Sequence, residues 1–395
     1  MNDRNYVLWL PSWYPNKKEP FNGDFIQRHA RAVSLYESVT VISFPQFGSK
    51  VNTSHEIEEK ISGKLKEIIV NLPFRPFHIS VLDRIRYNLQ YYLTARTYLE
   101  KYFEKFGLPA LVHVHVPVKA GNLALWIKKK YNIPFIVSEQ ASTYMEAAPD
   151  NYFQRSFFYK LQLKEIFRKA ACVTNVSGTI GLVLKKLFLI RDLHVIHNTV
   201  DTGMFCFAPQ ANKAFTYLHV SSLSEQKNIF GILRAFYALS TIRKDWKLVL
   251  VGPYSAQIKE FIQRKNLDQL IELTGEVSYQ EVAKKMKASN AFVLFSRHEN
   301  FPCVVVEALC CGLPVVSSDV AGVKEAINES NGILTAYDNE DMFLAGLLKM
   351  RETHHLYNSE QISAAAIARY NFQAIGAQFH NVYTKTKTSS GIDGY

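Results

Sequence analysis

Thirteen short apolar runs, separated by longer stretches of helical periodicity, constrain the fold of this 395-residue chain more than any other feature. In the first half they are Tyr6–Leu10, Val39–Phe44, Ile68–Asn71, Ala110–His115, Phe135–Glu139, Ala171–Val176 and His194–His197. In the second half they are Thr216–Ser221, Lys247–Val251, Ile271–Leu273, Ala291–Phe295, Val315–Ser318 and Ile333–Thr335. A strand that is apolar on both faces must be covered on both, and helical crossovers provide that cover. The pattern therefore predicts parallel sheets wrapped by helices. Thirteen strands exceed one compact doubly wound sheet, so the expected fold class is α/β, with two Rossmann-like domains facing a central cleft. The boundary is expected after His197-Asn-Thr-Val-Asp201, where Thr202 to Ala214 reads as an irregular linker. The expected division is 1–200, 201–375 and a terminal piece, 376–395, whose Ser/Thr/Gly-rich end from Thr384 should fray.

Hydrophobic residues make up 48% and charged residues 21%, enough for ample cores. The net charge of +11 favours an anionic partner such as a nucleotide or a phospholipid surface. No dense Lys/Arg run points to nucleic acid. The five cysteines (Cys172, Cys206, Cys303, Cys310, Cys311) form no C-x-x-C pair, which suits a reducing cytoplasm. The amino-terminal residues lack an apolar signal region, and no run is long enough to span a bilayer, so any membrane contact is expected to be peripheral.

One segment concentrates the chemistry. Glu299 and Glu307 stand eight positions apart in His-Glu-Asn-Phe-Pro-Cys-Val-Val-Val-Glu, followed by Leu-Cys-Cys-Gly-Leu-Pro-Val-Val. The run to Phe295 reads as a strand, Ser296 to Phe301 as a loop, and Pro302 as the first turn of a helix that Gly312 and Pro314 end. Glu299 is thus expected at the carboxyl end of a strand, and Glu307 more than one turn into a helix. Ligands of open α/β sheets collect at that edge, where helix amino ends attract phosphate. One carboxylate could meet a sugar and the other a ribose diol. Ser221-Ser-Leu-Ser-Glu-Gln-Lys-Asn228 places Lys227 in a strand-to-helix loop on the same edge, where a cation could neutralise a departing diphosphate.

Signals in the first half are weaker. Gly23, in Pro20-Phe-Asn-Gly-Asp-Phe25, could let backbone approach a ligand or could form a plain turn. His113 and His115 share a strand face, as a metal pair or as structural or ligand-contacting histidines. Glu139 and Gln140 end the next strand and could border the cleft or cap a loop. There is no G-x-G-x-x-G and no Asp-x-Asp, so no metal is expected and Lys227 with helix-end amides would meet the phosphates. In the helical pattern from Leu82 to Phe106, Leu82, Ile85, Leu89 and Leu93 read as a core stripe. Tyr87, Tyr91, Tyr98 and Tyr102 lie on another face, interleaved with Arg84, Arg86, Arg96, Lys101 and Lys105. That face suits either an anionic lipid interface or a solvated helix whose tyrosines pack on neighbours.

These residues together resemble the retaining nucleotide-sugar glycosyltransferases of family 4, which have the GT-B fold. The segment from Glu299 to Glu307 and on to Gly312-Leu-Pro314 resembles the family's paired-glutamate motif. Asn198-Thr-Val-Asp201 is similar to its Pro-Asn-Gly-Val-Asp segment, and Ser222 to Lys227 to its Gly-Arg-Leu-x-x-x-Lys phosphate loop. Pro11-Ser-Trp-Tyr-Pro15 with Gly23 is similar to an amino-terminal signature of a bacterial subset. The resemblance implies that Glu307 holds the ribose hydroxyls, Lys227 binds the diphosphate, and Glu299 contacts the transferred sugar beside the backbone of Asn300, Phe301, Pro302 and Cys303. It also implies a nucleotide-sugar donor, an acceptor held by the first domain, and a last helix that crosses back; the basic, aromatic first half suits a glycan or lipid-linked acceptor, near Gly23, His115, Glu139 and Gln140. Two departures stand out: the loop arginine falls on Ser222, and a histidine common after the fifth strand falls near Gln140. A nucleotide-sugar epimerase or hydrolase, or a non-catalytic binding subunit, remains an alternative.

Overall fold

The computed structural model describes residues 6–47, 56–73, 80–146, 148, 151–209 and 214–392. Linker residues 210–213, the last three residues and the Arg84 side chain fall outside that description. The first domain carries strands β1 (Val7–Pro11), β2 (Val39–Ser43), β3 (Gln46–Phe47), β4 (Ile57–Ser62), β5 (Leu65–Val70), β6 (Leu72–Pro73), β7 (Leu111–His115), β8 (Phe135–Glu139), β9 (Val173–Asn175) and β10 (Leu193–Val195). Its helices are α1 (Asp24–Val33), α2 (Ser80–Phe106), α3 (Pro117–Tyr131), α4 (Phe157–Lys169) and α5 (Gly178–Phe188). The second carries β11 (Phe215–Val220), β12 (Trp246–Val251), β13 (Ile271–Gly275), β14 (Ala291–Leu294), β15 (Val315–Ser318) and β16 (Gly332–Thr335). Its helices are α6 (Ile229–Ile242), α7 (Ala256–Arg264), α8 (Tyr279–Lys287), α9 (Cys303–Cys310), α10 (Glu340–Thr353) and α11 (Ser359–Tyr370), and α12 (Phe372–Ile392) ends the chain.

The first sheet runs β10-β9-β8-β7-β1-β2-β5-β4 and the second β13-β12-β11-β14-β15-β16. All thirteen expected strands are present. The second sheet is parallel throughout, while the first has one antiparallel pairing, β4 against β5. Helices cover both faces of each sheet, and each domain has an apolar cluster on either side of its sheet. Strands buried on both faces, such as β1, β7, β8, β14 and β15, are why near-continuous apolar runs read as parallel strands.

Three expectations about helices need correction. Leu82, Ile85, Leu89 and Leu93 are not core: each is more than half exposed, whereas Tyr87, Tyr91 and Tyr102 are buried. The helix turns its tyrosine face inward because Tyr91 packs edge-on against Phe44, and Tyr102 against Tyr6. The end of the chain does not fray from Thr384. Its helix runs to Ile392, held by Ile375, Phe379, Val382 and Tyr383 in the first domain's cluster. There Gly376 lies so close to the Ala32 carbonyl of α1 that a Cβ would sit 2.2 Å from its oxygen. Pro302 stands one position before α9, as its capping residue, rather than inside its first turn. Among the described residues, no helix is long and apolar enough to cross a membrane.

Candidate active site

The carboxyl ends of strands from both sheets meet in the cleft. After β14 the chain leaves the sheet through Ser296 to Pro302 and enters α9, a helix too apolar to be anything but buried. Glu299 therefore lies at the strand's end and Glu307 on the inner face of α9, and both are almost wholly buried. After β11 the loop turns through Leu223 and Asn228, both with positive φ, before α6 begins. This brings Lys227 onto Glu299, 72 positions away, as a direct ion pair. Ser296 Oγ donates to the same Glu299 oxygen at 2.8 Å. Burying a carboxylate is costly without such partners, and here a cation and a hydroxyl supply them.

Glu307 is met from across the cleft. Arg28, one turn into α1, pairs with it and with Asp24, the latter at 2.6 Å. Tyr279, at the start of α8, donates its hydroxyl to Asp24 and lies 5.5 Å from the Arg28 guanidinium. Burial pushes the Glu307 carboxyl above its ordinary range, with Arg28 opposing. Burial likewise opposes charge on Arg28, but Cys303, Glu307 and Asp24 outweigh it and hold the guanidinium protonated. The half-buried Cys303 thiol, at the first position of α9, is raised to about 12 by desolvation, in the field of Arg28, Glu307, Asp24 and Glu299. These charged groups surround the amino end of α9.

The neighbouring loop residues bridge the domains. Asn300 donates to the Gln140 carbonyl at 3.1 Å and accepts from Ser177 Oγ at 2.7 Å. The Phe301 carbonyl accepts from Asn198 at 2.7 Å, and its ring stacks on His197. Ser222 is exposed and bonds only to Ser224 Oγ among the described residues, so no cation stands there.

On the first domain's side, Gln140 donates to His29 Nδ1 at 3.0 Å, and His29 Nε2 faces the His197 carbonyl at 3.1 Å. Burial lowers His29 to about 4, leaving it neutral. His115 is buried against Trp9 and His113. His113 does not form a metal pair with it, because its two nitrogens face Tyr383 and Ser138 hydroxyls at 2.6 and 2.7 Å. Glu139 accepts from the Gln140 and Ala141 amides and the Tyr144 hydroxyl, and burial raises its carboxyl to about 7. It borders a cavity of about 540 Å³ that also touches Trp13, Tyr87, Lys119 and Arg155. Gly23 starts α1 at φ 69°, and a Cβ there would meet the Trp13 backbone at 2.6 Å. Its conformation is thus set by the loop that borders this cavity. A larger hollow of about 1080 Å³ lies elsewhere, between the Ala326 to Leu334 segment and α11, away from Glu299 and Glu307. Among the described residues, one group with metal-ligand spacing occurs, Cys172, Asp192 and His194, at the amino ends of β9 and β10, opposite the cleft.

The fold brings Glu299, Glu307 and Lys227, which sequence reasoning singled out, to the cleft beside Arg28, Asp24, Tyr279 and His29, which it did not. The only local hint was the Asp24–Arg28 spacing of four on a helix, a pattern common on any surface.

Residues 207–366 match the family described as glycosyl transferases group 1, and residues 52–203 match glycosyltransferase family 4. The chain belongs to family 4 of the GT-B glycosyltransferases. This glycosyltransferase is 24% identical over 408 residues to a Bacillus subtilis protein provisionally named as the teichuronic acid biosynthesis glycosyltransferase TuaC, covering 97% of this chain and 99% of that one. It is 23% identical to the GDP-mannose:cellobiosyl-diphosphopolyprenol alpha-mannosyltransferase of Xanthomonas campestris, over 69% of this chain and 73% of that one. Its fold is that of the sucrose-phosphate synthase of Thermosynechococcus elongatus, with a TM-score of 0.76 at 16% identity over 97% of this chain and 100% of that one. Anabaena HepE, solved with UDP and glucose, has a TM-score of 0.67 at 15% identity over 96% and 100%.

Proposed function

We propose that this glycosyltransferase moves a sugar from a nucleotide diphosphate sugar to a hydroxyl of a glycan or lipid-linked acceptor, with retention of anomeric configuration, in polysaccharide or glycoconjugate synthesis. The observation that carries the reading is the gathering of Lys227, from a loop 72 positions earlier in the chain, with Glu299 and Glu307 around α9. The relatives lend support: one transfers mannose from GDP-mannose to a diphosphopolyprenol-linked glycan, and a neighbour in fold binds UDP.

In this reading the ribose hydroxyls take Glu307, and the diphosphate lies against Lys227 and the α9 amides. The sugar reaches Glu299. The bond from the anomeric carbon to the phosphate oxygen breaks, and a bond to the acceptor oxygen forms on the same face. The acceptor proton passes to the departing phosphate oxygen, whose charge Lys227 stabilises. Lys227 and helix-end amides fill the place a divalent metal would otherwise take, so turnover is expected to survive EDTA. The acceptor would enter through the cavity beside Glu139. The outward apolar stripe of α2 (Leu82, Ile85, Leu89, Leu93), with Phe157, Phe158 and Leu161 exposed on α4, supports contact with an anionic membrane surface, because Lys101, Lys105, Lys164 and Arg168 are exposed on the same two helices.

The test is a screen of nucleoside diphosphates by thermal stabilisation, followed by Glu307→Gln and Glu299→Gln. The matching nucleotide should raise the melting temperature. Glu307→Gln should weaken its binding about tenfold or more, and Glu299→Gln should lower turnover at saturating donor. Near-normal transfer by both folded variants would remove the site assignment.

A further inference from the structure

We infer that Arg28 is a second cation for the donor diphosphate, reaching from the first domain to the amino end of α9. The inference rests on the donor site proposed above and names a residue outside it.

Three observations converge. Ser222 is a short, exposed hydroxyl, so the loop that carries Lys227 contributes one cation. Arg28 is nine-tenths buried beside the amino end of α9, and its Nε has no hydrogen-bond partner in the structure. Its other partners are carboxylates: Asp24 on its own helix and Glu307 across the cleft.

Glu307 is the carboxylate assigned to the ribose. When the ribose hydroxyls engage it, Arg28 loses half of its pairing. A guanidinium buried this deeply is expensive to leave under-paired, so it must find another anion. The donor brings one at the same moment, because its diphosphate comes to rest at the α9 amino end. There the Cys303 thiol lies in the fields of both Arg28 and Glu307. The freed Nη1 would turn to a phosphate oxygen, and the unpartnered Nε offers a further N–H on the edge it shares with the Asp24-bound Nη2. Asp24 holds Nη2 and the Tyr279 ring lies against the guanidinium, so the exchange needs a shift of the guanidinium and no movement of α1. Arg28 lies on the first domain and the donor on the second. Donor binding would therefore exchange one interdomain ion pair for another and keep the cleft closed around the substrate.

The experiment compares wild type, Arg28→Gln and Arg28→Lys in binding UDP against UMP and GDP against GMP, by calorimetry on the full chain. Circular dichroism and melting without nucleotide establish that each variant is folded. In wild type the matching diphosphate should bind more tightly than its monophosphate. Arg28→Gln should lower that ratio about tenfold or more. Arg28→Lys, which keeps the charge but not the several N–H groups of the guanidinium, should restore part of it and carries the test if the glutamine variant fails to fold. An unchanged ratio in a folded variant overturns the inference. So does tighter binding of both nucleotides, which would make Arg28 a plug and not a ligand. If wild type binds none of these nucleotides, the donor site itself is lost and Arg28 with it, a failure distinguishable because it appears before any substitution.

Discussion

At the residue scale, one glycine packs against the loop that carries Glu299 and so fixes the geometry of the proposed donor site. Gly322, after β15, packs so tightly under the Asn300 carbonyl that a Cβ would come within 1.5 Å of its oxygen, with the Asn300 carbonyl carbon at 2.7 Å. Neither atom can give way without moving the loop that carries Glu299. Gly322→Ala should therefore cost about 1–3 kcal/mol, as overpacking usually does, and should also lower transfer by shifting Glu299 and the Asn300 bridge to Gln140 and Ser177. Gly63→Ala is the control. Its φ of +58° strains an alanine, but nothing lies within 4 Å of the new methyl, so stability should fall by about 1 kcal/mol with activity intact. Equal activity in the two variants would sever the link between Gly322 and the site. The sequence disclosed Glu299, Glu307 and Lys227 because each sits at fixed spacing within a short strand-loop-helix pattern. It did not disclose Arg28, which meets Glu307 across 279 positions. A lone arginine on an amphipathic helix has many equally ordinary explanations.

At the scale of elements, most of the legible strands are buried on both faces, although the partly buried β10 and β13 were legible too. β4 was missed because Ile57-Glu-Glu-Lys-Ile-Ser62 is an almost wholly exposed edge strand, charged as edges tend to be, and has no apolar run to detect. The α2 helix shows a different limit. Periodicity identifies an apolar face but does not say which of two will turn inward. Here a tyrosine face and a leucine face compete, and the rings win because Phe44 and Tyr6 receive them edge-on. The two faces should respond oppositely to substitution. Tyr91→Ala removes a buried ring and should cost about 3–5 kcal/mol, the range for large aromatic truncations. Leu89→Glu changes an exposed side chain and should stay within about 0.5 kcal/mol of wild type, yet it should weaken co-sedimentation with vesicles containing phosphatidylglycerol. Denaturant melts and vesicle binding of both variants check the two halves separately. If Leu89→Glu binds such vesicles as wild type does, the outward stripe is not a membrane contact.

For the molecule as a whole, burial of titratable groups at the cleft and in the sheets sets how stability follows pH. Burial lowers His29 and His219 to about 4, and holds His113 and His115 well below the ordinary range. The unfolded chain protonates these rings near pH 6.5 while the folded one resists until about 4. The unfolded state therefore binds more protons in that window, and stability is lost as pH falls through it. At about 1.4 kcal/mol per pKa unit, His29 and His219 each cost up to about 3 kcal/mol by pH 4. Two buried carboxylates act in the opposite sense. Glu139 is raised to about 7 and Glu307 is also raised, both chiefly by burial. Their stabilising contribution is complete below the ordinary carboxylate range and disappears as pH rises, for Glu139 through about 7. Four histidines outweigh two carboxylates, so the urea midpoint should peak between about pH 6 and 7 and fall by several kcal/mol in equivalent stability by pH 4.5. His219 is the ring to remove, since it lies inside the β11 strand, bonded to the Val293 carbonyl and Ser221 Oγ, and no donor contact is assigned to it. His219→Gln should lose stability at pH 7, where those bonds are lost, but should lose less than wild type between pH 6.5 and 4.5. Urea melts at three pH values give both slopes. An unchanged slope would mean that the acid sensitivity arises elsewhere than in the buried rings.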